Sequence, residues 1–166
     1  MSQRARYHVI EDARISEESS NTVFSAKNIL FQDNERDERS DARWLTSVTG
    51  DEESYFVVDL LETTQVLGVN FRQGSNGNQL SHGTKNFKLE FSNDGKTWVK
   101  MYGPKDKYGT PTVLRERMYA YSVLDEKPIT VRPHHRATFQ RYRYIKFTAL
   151  SCYGQGAALS EFSVDV

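Results

Sequence analysis

Phe87-Lys88-Leu89-Glu90-Phe91-Ser92-Asn93-Asp94-Gly95-Lys96-Thr97-Trp98 is the stretch that decides how this chain is read. Phe87, Leu89 and Phe91 alternate with Lys88 and Glu90, which puts the apolar groups on one face of a strand and the charges on the other. Asp94-Gly95 follows. Glycine accepts the positive φ that hairpin turns demand, so the chain is expected to fold back before Trp98. The same period-two pattern recurs on both sides. Phe56, Val58 and Leu60 alternate with Val57 and Asp59; Leu67, Val69 and Phe71 alternate with Gly68 and Asn70. Ile145 and Phe147 alternate with Tyr144 and Lys146; Phe162, Val164 and Val166 alternate with Ser163 and Asp165. Turn signals separate these runs at Gly74-Ser75-Asn76-Gly77-Asn78, Gly103-Pro104, Arg132-Pro133 and Gly154-Gln155-Gly156. No segment after residue 44 carries a helical stripe. Short strands joined by polar turns predict an all-β sandwich or barrel.

Composition sets the bounds. The chain has 166 residues, enough for one domain with its own core. Lys+Arg and Asp+Glu are both 22, and this balance argues against a free nucleic-acid binder. Aromatics make up 12% of the residues, which points to an aromatic core rather than a disordered chain. No apolar run approaches the roughly 20 residues of a membrane span, and Tyr55–Leu61 is broken by Asp59. Met1-Ser2-Gln3-Arg4-Ala5-Arg6 is not followed by an apolar stretch, so no secretory signal is read. The lone Cys152 has no internal disulfide partner. These features predict a cytosolic compartment, or an extracellular one for an excised domain or a chain secreted unconventionally. Residues 1–17 are expected to be a polar extension and 18–166 the domain. The first 25 residues should wrap the core rather than build it. Residues 32–43 are nearly all polar and read as a loop or one solvated helical turn, ending at the large anchor Trp44.

Taken together, the order of features resembles the discoidin family, also called the factor V/VIII type C or galactose-binding-like domain. The entry motif is matched by Ala26-Lys27-Asn28-Ile29-Leu30, and an Asp-rich loop ending in tryptophan by Asp33 to Trp44. A strand ending Val58-Asp59-Leu60 follows, then Phe71-Arg72-Gln73-Gly74 and the hairpin quoted above. Arg143-Tyr144-Ile145-Lys146-Phe147 and Leu159-Ser160-Glu161-Phe162 complete the series. The match spans about residues 18–166. It implies an eight-stranded β-sandwich of jelly-roll type. It also implies a binding function, in which loops at one end of the sandwich grip sugars, lipid headgroups or proteins.

Three loops are expected to form that end: about Glu35 to Thr46, Arg72 to Gly83, and Cys152 to Gly156. The second offers guanidinium and amide groups with glycines that let a ligand approach the backbone. A planar guanidinium or amide bonds two sugar hydroxyls at once. Sugar-binding modules that this chain resembles place an arginine and an asparagine at positions matching Arg72 and Asn76 or Asn78. They add a stacking aromatic from the last loop, matched by Tyr153. Gln73, His82 and Gln155 complete the candidate ligand set. The alternative is that Asn76-Gly77-Asn78 is a plain turn and Arg72 covers a sheet edge. Galactose-type members often carry a histidine just after the loop tryptophan; here that residue is Leu45.

The resemblance also implies a structural calcium ion in the Asp-rich loop, closed by a C-terminal glutamate. Calcium takes six to eight hard oxygens, and Asp33, Asp37, Asp41 and Glu161 are the candidates. The usual Asp-Gly-Asn/Asp-x-x-Thr spacing is absent, and Arg36, Arg39 and Arg43 are available to neutralise those carboxylates instead.

Other signals are weaker. Val131 to Lys146 interleaves Arg132, His134, His135, Arg136, Arg141, Arg143 and Lys146 with Phe139, Tyr142 and Tyr144. Basic-plus-aromatic is a nucleic-acid or anionic-lipid pattern. It is equally a strand whose basic stems cover aromatic rings. Leu45 and Leu80 are the candidates for apolar membrane-contacting spikes. Catalytic motifs are missing: there is no Gly-x-Ser-x-Gly, P-loop or His-Glu-x-x-His. The expected function is non-catalytic glycan or glycoprotein binding, as in lectins and adhesion modules, with homo-oligomerisation adding avidity. Intracellular protein interaction and peripheral membrane binding are the alternatives.

Overall fold

A computed structural model describes residues 13–30, 43–47, 53–73, 83–100, 102–105, 111–113, 116–117, 129–131, 141–152 and 154–166. Thirteen strands lie among them. In chain order they are β1 (Arg14–Glu18), β2 (Thr22–Phe24), β3 (Trp44–Thr46), β4 (Ser54–Gln65), β5 (Gly68–Gln73), β6 (Thr84–Ser92) and β7 (Val99–Lys100). There follow β8 (Tyr102–Lys105), β9 (Pro111–Val113), β10 (Glu116–Arg117), β11 (Ile129–Val131), β12 (Arg141–Cys152) and β13 (Ala158–Asp165). One 3-10 turn, Ala26–Ile29, is capped by Ser25, whose side chain accepts from the Lys27 N–H.

The first sheet runs β1-β4-β12-β6-β10, with β7 folded back on β6. The second runs β11-β5-β13-β3-β2, and β8 pairs separately with β9. All strand pairings within the two large sheets are antiparallel. These two antiparallel sheets are the all-β sandwich anticipated from the periodicity, and short edge strands are added to the eight that the resemblance implied. The alternation explains the layering. Phe56, Val58 and Leu60 of β4, Phe87, Leu89 and Phe91 of β6, and Ile145 and Phe147 of β12 face inward. Val69 and Phe71 of β5 and Phe162 and Val164 of β13 meet them from the second sheet. Trp44 closes the layer, with its ring 4.9 Å from Phe56 at an interplanar angle of 74°.

One expectation shifts at the N-terminus. The boundary placed at residue 18 falls at the end of β1, which pairs with β4 from Arg14↔Asp59 to Glu18↔Phe56. Ile15 is buried with the core. A strand with a single apolar side chain and a bulge between Ile15 and Glu17 leaves no alternation to read.

Two carboxylates hold irregular backbone, Asp59 inside β4 and Asp94 in the hairpin turn. Asp59 accepts from Arg143 Nε and Nη2 at 2.9 and 3.1 Å and from the Leu61 N–H at 2.8 Å. Leu61 is the one described non-glycine residue with positive φ, at 71°. The Asp59 bond thus secures a backbone kink that costs energy in an L-residue. The Arg143 guanidinium, opposed by partial burial, holds the Asp59 carboxyl below the usual carboxylate range. In the hairpin, Asp94 accepts from the Thr97 and Lys96 N–H groups, both at 2.8 Å, and from Ser92 Oγ. These bonds lower it from 3.8 to about 2. Gly95 beside it takes φ +75°.

Both groups are acids whose folded pKa lies below the unfolded one. Their stabilisation is therefore complete above the unfolded pKa and is lost as pH falls through the folded value. Urea denaturation should show stability declining from about pH 4 toward pH 2. Asp59→Asn and Asp94→Asn should each flatten that decline. A decline as steep in both variants as in the parent would refute the assignment.

Candidate functional site

Register shows which connections leave from one end of the sandwich. Leu159↔Gln73, Ala158↔Leu45, Cys152↔Thr84 and Ala149↔Ser54 are Cα partners. The ends of β3, β5 and β12 and the starts of β4, β6 and β13 therefore lie together. The connections that emerge there are 47–53, 74–83 and 153–157. The second and third were anticipated. The first was expected to be Glu35 to Thr46, but Thr46 is the last residue of β3 at this end, so the segment departing from it is the one that follows. The described flanks of the polar stretch lie along β13 instead: Leu30 bridges Phe162, and Trp44 pairs with Leu159. A three-residue strand offered too little pattern to show its direction.

A buried hydroxyl joins these connections at their base. Thr46 is fully buried and Ser54 is 1% exposed. The Thr46 Oγ1 to Ser54 Oγ distance is 2.7 Å. Thr46 Oγ1 accepts from the Ala157 N–H at 3.1 Å, and the Thr46 N–H donates back to the Ala157 carbonyl at 3.0 Å. Ser54 Oγ accepts from Asn21 Nδ2 at 3.1 Å. On the far side, the Gly83 N–H donates to Gly156 O at 2.8 Å, and Thr84 Oγ1 donates to Ala158 O at 2.9 Å. Gly154 turns the last connection at φ +78°, a conformation that suits glycine. Bulges at Ala149/Ser151, Ser151/Cys152 and Leu159/Glu161 gather at the same end. Such irregularities bend strands and re-aim side chains. Thr46, Ser54 and Asn21 escaped the sequence reading, because isolated hydroxyl and amide residues in polar surroundings carry no pattern.

The anticipated site residues divide as follows. Arg72 is the penultimate residue of β5, directly opposite Glu161 on β13. Its Nε lies 2.8 Å from Glu161 Oε2, with the two side chains 30% and 33% exposed. The Nε–H does not aim at that oxygen, so the contact is ionic rather than a directed hydrogen bond. Gln73 ends β5, and Gln155 is exposed in the turn before β13. Asn76, Asn78, His82 and Tyr153 lie outside the described residues, as do Asp33, Asp37, Asp41 and Leu80. Leu45, at the position where a histidine was looked for, is 8% exposed and is not a projecting spike.

Of the four expected calcium donors, Glu161 alone lies among the described residues. The ion requires six to eight oxygens. Among the described residues no three His, Cys, Asp or Glu side chains gather. Glu161, the one described member of the expected set, faces a guanidinium.

The basic strand is engaged with its own chain. Arg141 Nη2 donates to Thr63 O at 3.3 Å, and Arg143 holds Asp59. Lys146 Nζ sits 4.5 Å from the Tyr55 ring centre and 5.6 Å from that of Trp98. Burial raises the Cys152 thiol pKa, which keeps it protonated and poorly nucleophilic at neutral pH.

The sequence model of the F5/8 type C domain matches residues 13–162. No match was found among curated protein sequences. Several solved structures share the fold. CpGH89CBM32-5 from Clostridium perfringens, in complex with GalNAc-β-1,3-galactose, superposes with a TM-score of 0.61 at 14% identity, covering 93% of this chain and 94% of its own. The lectin domain of lectinolysin, complexed with Lewis B antigen, gives 0.58 at 17% identity, covering 94% of each chain. The family 32 CBM from C. perfringens NanJ, in complex with galactose, gives 0.55 at 17% identity, covering 92% of this chain and 90% of its own. At such identities the likeness is one of fold.

Proposed function

The chain belongs to the F5/8 type C domain family, and from that premise we propose that it is a non-catalytic carbohydrate-binding module. The observation that carries this reading is the common end of the sandwich, where three connections leave a rigid base joined through Thr46. Solved structures of the same fold hold galactose, GalNAc-β-1,3-galactose and Lewis B antigen. A site of this kind works by preorganisation: the bonded strand ends hold the roots of the three connections at set positions, which lowers the ordering entropy that opposes binding. Arg72 stands at the foot of the second connection and donates to paired hydroxyls, with Asn76 or Asn78 and Gln155 adding amide contacts. Tyr153 stacks on the apolar face of the sugar ring. Single sites of this kind bind weakly, and avidity comes from presenting several together, on an oligomer or against a clustered glycoprotein.

A glycan array probed with the intact chain tests the proposal. Binding is expected to galactose- or GalNAc-terminated glycans. Tyr153→Ala should weaken it about tenfold, the equivalent of about 1.4 kcal/mol. An array without signal for the folded, multivalently displayed protein would refute it.

A further inference from the structure

We propose that the Arg72 guanidinium supplies the positive charge that Glu161 requires, so that this side of the fold is held by an internal ion pair and does not depend on calcium. Register brings the two residues together. Arg72 and Glu161 are Cα partners on adjacent antiparallel strands, so their side chains leave the same face of the second sheet. Phe71 and Phe162, their neighbours in sequence, point into the core and lock that facing. A one-residue slip would bring both aromatics out of the core, so the pairing of charges is enforced by apolar burial rather than by the weak attraction of the charges themselves. The result is a cation 2.8 Å from the carboxylate oxygen, about the separation of a close ion pair.

A calcium ion on the same carboxylate would have to displace or crowd that guanidinium, and like charges a few ångströms apart repel. The sequence agrees at a second point. The carboxylates of the polar stretch, Asp33, Asp37 and Asp41, lack the calcium-loop spacing and are interleaved with Arg36, Arg39 and Arg43. Glu161 thus meets a cation in space, and the other expected donors neighbour arginines in sequence. This inference concerns the scaffold and stands whether or not the loops bind a sugar.

Thermal unfolding of the intact chain in calcium and in excess chelator tests it. The parent should melt at the same temperature in both. Arg72→Met and Glu161→Gln should each lower the midpoint by about 2–4 °C, equally with and without calcium. The double variant should fall by no more than either single one, because the two side chains are partners. Arg72→Lys, which keeps the charge, should recover most of the loss. The proposal is overturned if chelator lowers the parent midpoint by about 5 °C or more. It is equally overturned if the effects of Arg72→Met and Glu161→Gln simply add.

Discussion

Phe147→Ala is expected to cost about 3–5 kcal/mol of folding stability. The side chain is fully buried at the centre of β12, the middle strand of the first sheet. Its ring stacks 5.5 Å from Phe56 and 5.4 Å from Phe87, and it meets Phe71 edge-on at 5.4 Å. Trp44 and Phe162 complete the surround, at 5.9 and 6.4 Å. Aromatic rings in such stacked and edge-on arrangements contribute beyond the area they bury. Truncation removes these contacts together and leaves a cavity, because five large side chains anchored on five different strands cannot all collapse into the space. Domains of this size have about 5–15 kcal/mol of stability, so the loss is a large share of the total. Urea denaturation followed by the fluorescence of buried Trp44 measures it. Phe147→Leu, which keeps more of the volume, should lose less than half as much. A loss below about 1 kcal/mol for the alanine variant would show that the ring cluster is not the keystone of the sandwich.

That core was legible because burial leaves a period in the sequence. Phe87-Lys88-Leu89-Glu90-Phe91 and Ile145-Lys146-Phe147 must alternate if one face is to meet the other sheet while the opposite face meets water or polar neighbours. The hairpin at Asp94-Gly95 was legible because its backbone requirement selects residue types. The binding end was less so. Its base depends on Thr46, Ser54 and Asn21, polar residues whose partners lie up to 111 positions away in the chain. The Arg72–Glu161 pair could not be read either. It requires the register of β5 on β13, including the bulge between Leu159 and Glu161. Read singly, Arg72 suggested a sugar donor and Glu161 a metal ligand, and neither suggestion pointed to the other residue. Likewise β1 carried one apolar residue, and a single position has no period. Local patterns report what faces the core; contacts between polar residues distant in sequence appear only once the strands are aligned.

Thr46→Val carries the second large effect, and it couples stability to recognition. The substitution preserves shape but exchanges the hydroxyl for a methyl group. Inside the fold that hydroxyl serves both the Ala157 N–H and Ser54 Oγ. Without it, a buried N–H has no acceptor and the methyl group presses against Ser54 Oγ. Leaving a buried polar group unpaired costs about 1–3 kcal/mol, so a loss of about 2–3 kcal/mol is expected by urea denaturation. The functional consequence follows from position. Thr46 begins the 47–53 connection, Ser54 ends it, and Ala157 ends the connection that holds Gln155 and Tyr153. Loosening one bonded junction therefore frees two of the three loops at once. Binding would then have to restore the positions of Thr46, Ser54 and Ala157, and affinity for glycans bound by the parent should fall about tenfold. Thr46→Ser, which keeps the hydroxyl and drops the methyl, should retain affinity even though it sacrifices some packing. If Thr46→Val loses stability but binds as tightly as the parent, the junction supports the fold alone. If it loses neither, the hydrogen bonds through Thr46 are not what holds this end together.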